Sequence, residues 1–226
     1  MNIKECVDFI NFWIRKDRGA FLTIEESVAA IDSGQLAYYS DIKPKYATSQ
    51  LIKDTLAPFK KQYNFTPANT ISGYIVIPSN VDYLDLLDVE IQFNISNRTV
   101  YAPVEMTNED ERSNKLNSQI DPPTVTSPVG EMQIPRYIKL YPQTGYTGTV
   151  TFFSRPKKPV YAYNVISGRV IQYDAANSVQ LEWRDTEHIP ILLKALVSVG
   201  INLSDAEVSQ FAQLKTQENY QGVNHL

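Results

Sequence analysis

The run LDVEIQFNI at residues 87–95 constrains this chain most: Leu87, Val89, Ile91, Phe93 and Ile95 alternate with Asp88, Glu90, Gln92 and Asn94. Side chains of a strand point alternately to its two faces, so a period of two predicts a half-buried strand with one wet face. The start of the chain carries a different period. Ile3, Val7, Ile10 and Ile14, with Cys6 and Trp13 beside them, follow helical spacing and predict an amphipathic helix over residues 2–17, ended at Gly19. Thr23 with Glu26 is a capping box that opens a second helix, with Gly34 as its stop or kink. Leu51, Ile52, Thr55, Leu56 and Phe59 mark a further helix over residues 47–57, closed near Pro58.

Residues 1–63 therefore read as an N-terminal helical segment and residues 71–184 as a β-rich region. Further strands are expected within 98–106, 136–142, 148–156, 159–165, 169–174 and 178–183. Most connections are too short for parallel crossovers, which favours antiparallel pairing. A proline-rich loop spans 118–130, preceded by one or two helical turns within 108–117. Residues 185–217 read as a C-terminal helix pair. Its first helix carries Ile189, Leu192, Leu193, Leu196 and Val199, with Pro190 in the first turn and Gly200 at the end. Its second opens on the Ser204/Glu207 capping box and carries Val208, Phe211 and Ala212, ahead of a tail at 218–226. The expected class is α+β, with N- and C-terminal helices packed together beside a central antiparallel β-sheet or sandwich, and with Leu192 and Leu196 in the core.

A chain of 226 residues is long enough to bury a sizeable core. Its formal charge of −4 argues against wrapping nucleic acid through many phosphate contacts; Lys60-Lys61 and Lys157-Lys158 are too short to reverse that balance. A single cysteine, Cys6, excludes an intrachain disulfide and a zinc-finger set and points to folding in a reducing compartment. The N-terminus interrupts its apolar residues with Lys4, Glu5 and Asp8, unlike a secretory signal, and no run approaches the ~18 apolar residues of a membrane span.

The segment YDAANSVQLEWRDTEHIP at 173–190 concentrates Asp174, Glu182, Asp185, Glu187 and His188. Glu187 and His188 are adjacent, and helix neighbours point about 100° apart, so they make no ligand pair by themselves. Asp185 and Glu187 stand where a helix begins, where acidic side chains favour the positive end of the helix dipole. Glu182 falls on the strand face opposite Val179, Leu181 and Trp183. Asp82, Asp85, Asp88 and Glu90 offer carboxylate pairs of the kind a glycosidase uses, yet alternation already accounts for Asp88 and Glu90. TGYTG at 144–148 is a turn with no helix after it, not a phosphate cradle. Cys6 lies on an apolar stripe, where burial disfavours a thiolate. These patterns predict no catalytic, cofactor-binding or metal site. Tyr38, Tyr39, Tyr46, Tyr63, Tyr161, Tyr163 and Trp183 are divided between core packing and protein interfaces.

Four stretches in one order carry a resemblance: Tyr74 through Ile91; NEDERSNKLNSQIDPPT leading to SPVG; IKLYPQTGYTGTVTFFSRPKKPV; and YDAANSVQLEWRDTEHIPILLKALVSVGINLSDAEVSQFAQLK. Together, over residues 20–217, they resemble structural proteins of tailed bacteriophages, especially head-tail connector or tail-ring components of the crAss-like phages of Bacteroidetes. The resemblance implies a virion structural protein, not an enzyme. It would be one subunit of a homo-oligomeric ring, a dodecamer, stacked beneath the portal protein among neighbouring tail ring proteins. Packaged DNA would pass through the channel without sequence-specific binding, and assembly would take place in the host bacterial cytoplasm, with no membrane involved. The alternatives are a monomeric β-rich carbohydrate-binding or receptor-binding module and a glycosidase using Asp82, Asp85 or Asp88.

Overall fold

The computed structural model describes residues 1–19, 21–71, 74–95, 98–134, 136–166 and 170–201. In chain order the elements are α1 (Ile3–Arg18), α2 (Ile24–Ile42), α3 (Gln50–Leu56), β1 (Lys60–Phe65), β2 (Thr70–Ile71), β3 (Tyr74–Val76), β4 (Tyr83–Ile95), β5 (Arg98–Pro103) and β6 (Glu105–Thr107). There follow α4 (Glu109–Leu116), β7 (Val129–Ile134), β8 (Tyr137–Tyr141), β9 (Thr147–Ser154), β10 (Tyr163–Ile166), β11 (Val170–Tyr173) and α5 (Asp185–Ser198). The class is α+β. The chain divides into two compact units, one of residues Met1–Pro58 with the described residues from Pro156 onward, the other Phe59–Arg155.

The first unit is built on α1, α2 and α5, which pack together. A capping box starts α1, with Asn2 accepting from the Glu5 amide at 2.9 Å and Glu5 accepting from the Asn2 amide at 3.1 Å. Gly19 ends it at φ 66°, a left-handed conformation that costs glycine little. The expected stripe of Ile3, Cys6, Val7, Ile10, Trp13 and Ile14 is buried. The Thr23/Glu26 box starts α2 as expected, but α2 does not stop or kink at Gly34; it continues to Ile42. Gly34 serves a different purpose: a β-carbon there would fall 2.6 Å from the Ile191 carbonyl oxygen and 2.9 Å from the Ala195 β-carbon, so α2 and α5 meet at a contact that excludes a side chain. Ile191, Leu192, Ala195 and Leu196 are wholly buried on α5. Pro190 is the sixth residue of this helix, beyond its first turn, and has no N–H to offer the Thr186 carbonyl. The helix expected after Ser204 and the tail at 218–226 lie outside the described residues.

The second unit holds a four-stranded sheet ordered β1-β9-β4-β5, all antiparallel, and a five-stranded sheet ordered β2-β3-β8-β7-β6. Both contribute to one core: Phe65, Val89, Ile91, Val150 and Phe152 from the first, and Ile75, Ile138 and Leu140 from the second. The second sheet is not wholly antiparallel, because β6 pairs with β7 in parallel. The connection between them, carrying α4 and the proline-rich loop, is long enough for that crossover.

Three sequence expectations are corrected. Residues 60–63 are not helical: Lys60–Phe65 is a six-residue strand paired along its length with β9, which brings Phe65 into the core. Residues 178–183 are not a ladder strand; only Val179 pairs, with Val160. Leu181 and Trp183 are buried as alternation demands, but side-chain bonds such as the Ile3 amide to Gln180 Oε1 at 2.6 Å hold the segment extended instead of a neighbouring strand. With residues 156–184 it belongs to the helical unit. In β4, irregularities between Tyr83 and Asp85 and between Leu86 and Asp88 break the alternation, so that Leu86 packs on the core together with Val89.

Candidate functional site

The five residues of the 173–190 segment do not converge on one point. Asp174 closes a turn: its Oδ1 accepts from the amides of Ala176 and Asn177 at 3.1 and 3.3 Å, and its Oδ2 from Asn177 Nδ2 at 2.7 Å. These bonds, the Asn177 side chain foremost, hold its carboxyl below the usual carboxylate range. Glu182 pairs with Lys157 Nζ at 2.7 Å. Asp185, at the first position of α5, lies 2.7 Å from the Met1 amino group, which depresses its pKa. Glu187 accepts from the Tyr38 hydroxyl. His188 is buried, with Nε2 3.2 Å from the Trp183 carbonyl oxygen.

Among the described residues His188 Nδ1 has no hydrogen-bond partner, and it stands 3.5 Å from Asp185 Oδ1. Burial lowers its pKa, which disfavours the charged ring. Burial likewise pushes the Tyr38 phenol up, and it raises the Cys6 thiol to about 12, which disfavours a thiolate there. Among the described residues no three His, Cys, Asp or Glu side chains gather as a metal would require. On β4, the Asp88 carboxylate bends back to its neighbour, accepting from the Val89 amide at 2.8 Å.

Residue types that draw little notice in a sequence form a buried polar group. Gln35, wholly buried on α2, donates to the Lys157 carbonyl at 3.0 Å and to Asp32 Oδ1 at 2.7 Å, and accepts from Trp183 Nε1 at 3.2 Å. It fastens residues 157 and 183 to α2. Of the aromatics singled out above, Tyr39 and Trp183 are core, Tyr63 packs on the sheet core, and Tyr163 is exposed.

The chain matches no protein-family model and no curated protein.

What remains is surface. The β10–β11 pair is a two-stranded sheet of its own, Tyr163 opposite Tyr173 through Ile166 opposite Val170. Tyr163, Asn164, Val165 and Ile166 are all exposed, so neither face of β10 is covered, and Ile171 on β11 is exposed as well. Alternation predicts one buried face for such a strand; β10 has none. At its foot Tyr161 contacts both Tyr163 and Tyr173, with ring centres 6.3 and 5.0 Å apart, and the Tyr163 hydroxyl reaches Glu25 Oε1 at 3.2 Å. Among the described residues no helix is long and apolar enough to cross a membrane.

Proposed function

We propose that this chain is a virion structural protein, one subunit of a closed homo-oligomeric ring in the head-tail connector of a tailed bacteriophage, joining capsid to tail and lining the path of the genome. The observation that carries this reading is the β10–β11 hairpin, which exposes Tyr163, Val165, Ile166 and Ile171. Isolated two-stranded hairpins are marginal in water, and contiguous exposed apolar side chains mark surfaces that a partner covers. The resemblance of the four sequence stretches to ring proteins supplies the partner: further copies of the chain, with the portal and neighbouring rings above and below.

A ring needs two different complementary surfaces on each subunit. An acidic chain suits a channel through which DNA slides without being held. Its work is assembly and conduction, with no bond made or broken. Mass photometry of the full chain followed by negative-stain imaging tests this. Closed rings are expected, and a species that stays monomeric, alone and with a portal assembly, overturns it.

A second reading, a monomeric glycan- or receptor-binding module, draws on the face of β8 that carries Tyr137, Lys139 and Tyr141. There the Lys139 ammonium lies 5.5 Å from the Tyr74 ring centre and 5.1 Å from that of Tyr141, so two of the three rings already spend a face on a cation. Saturable glycan binding by a monomer would favour this second reading.

A further inference from the structure

The proline-rich loop between α4 and β7 is held in place from within. Lys115 Nζ bonds Asp121 Oδ2 at 3.3 Å and Glu105 Oε2 at 2.9 Å, the Asp121 amide donates to Ser118 Oγ at 3.0 Å, and Thr124 and Ser127 exchange backbone bonds at 3.1 and 3.2 Å. Pro122 and Pro123 stiffen the stretch between. On this pinned loop Ile120 is 97% exposed. A β-branched aliphatic side chain held that far into solvent is a preorganised knob, because little ordering entropy remains to be lost when a partner covers it.

The first unit carries a matching hole. A groove of about 240 Å³ lies between α2 and residues 158–161, walled by Ile24, Val28, Pro159, Val160 and Tyr161. It is large enough for one aliphatic side chain and leads through Tyr161 to the foot of the exposed hairpin. One charge of the groove complements the loop. Residues 117–128 contain one charged side chain, Asp121, next to the knob; it gives Oδ2 to Lys115 and remains 74% exposed. Of the two charged residues lining the groove, Lys158 is exposed and makes no ion pair among the described residues, and Glu25 accepts the Tyr163 hydroxyl.

We propose that the 117–128 loop of one copy docks in the α2/158–161 groove of a second copy, with Ile120 filling the groove and Asp121 meeting Lys158. The contact is heterologous, knob on one subunit and hole on the next, and so propagates around a ring instead of closing a dimer. It rests on the ring reading above and names the surfaces that reading requires.

Two experiments on the full chain decide it. Ile120→Asp places a charge on an exposed loop residue, where folding is unaffected, and is expected to weaken self-association by about tenfold or more, seen as loss of rings by mass photometry. In the second, chains carrying Ile120→Cys and chains carrying Val160→Cys are mixed under mild oxidation. A disulfide-linked species containing one chain of each kind is expected in the mixture, and none from either variant alone. Rings that survive Ile120→Asp, or a mixture that yields no such species while the wild type assembles, overturn this contact and leave the ring reading standing. A wild-type chain that never self-associates overturns both.

Discussion

Gly34 on α2 and Ala195 on α5 meet backbone to backbone, with a β-carbon built on Gly34 falling 2.8 Å from the Ala195 nitrogen. Two helices pack this closely only where one residue has no side chain. Exchanging Gly34 for alanine gains about 1 kcal/mol of helix propensity, but it drives a methyl group into backbone that cannot swing aside. Overpacking of this kind costs roughly 1–3 kcal/mol, so the net effect of Gly34→Ala is a loss of stability. A lower urea midpoint with an unchanged slope is expected; an unchanged or higher midpoint would show that α2 and α5 can separate freely.

Leu192 and Leu196 are both wholly buried on α5. Leu192→Ala removes a side chain from the packing of α5 against its neighbours and is expected to cost about 2–5 kcal/mol in chemical denaturation. Because that packing anchors the helical unit, ring assembly should fall with stability. Wild-type assembly and stability in this variant would count against the three-helix packing.

Gly148 on β9 offers a sharper contrast. Its built β-carbon lies 2.1 Å from the Glu90 carbonyl oxygen and 2.7 Å from Phe65 Cζ, where Gly148 pairs with Ile91 on β4 and Phe65 on β1. Gly148→Ala should cost more than about 3 kcal/mol, since both the backbone and a core ring must move. At Gly145 the nearest atoms belong to the Pro67 ring at 3.3 and 3.4 Å, so Gly145→Ala is the tolerated control. Thermal melts of the two variants side by side read the difference, and equal melting points would refute it.

His188 makes stability depend on pH. Its folded pKa is depressed, first by burial and then by the Met1 amino group, with Asp185 and Glu187 opposing. Below the unfolded value of about 6.5 the unfolded chain therefore binds more protons than the folded one, and stability rises with pH through that range. Full His188-dependent stability is present above pH ~6.5 and is lost as the pH falls below it. Urea titrations at a series of pH values should show this slope in the wild type and a flatter one in His188→Gln. Identical slopes would remove His188 from the account.

The elements whose signals are local were legible in the sequence. The stripe of α1, the capping box of α2, the apolar face of α5 and the alternation that buries Val89 and Ile91 all depend on residues within a few positions of one another. So was the role of Asp185 at a helix start, where the helix dipole acts on the carboxylate; the turn that Asp174 closes was not read from the sequence. Lys60–Phe65 escaped because a strand beside a helix end is decided by its partner, and β9 lies more than eighty residues away in the chain. Gly34 read as a helix stop because glycine's low propensity is a local fact, while the close approach of Ala195 is not.

By itself, then, the amino-acid order determined the class, the helices α1, α2 and α5 and most strands of the middle, since each follows from short-range periodicity and side-chain type. Only the tertiary structure decided that residues 156–184 join the helical unit, that Gln35 ties Lys157 and Trp183 to α2, and that β10 is exposed on both faces. Burial is set by which distant segments arrive to cover a surface, and a strand's own pattern records that a face is apolar without recording what reaches it.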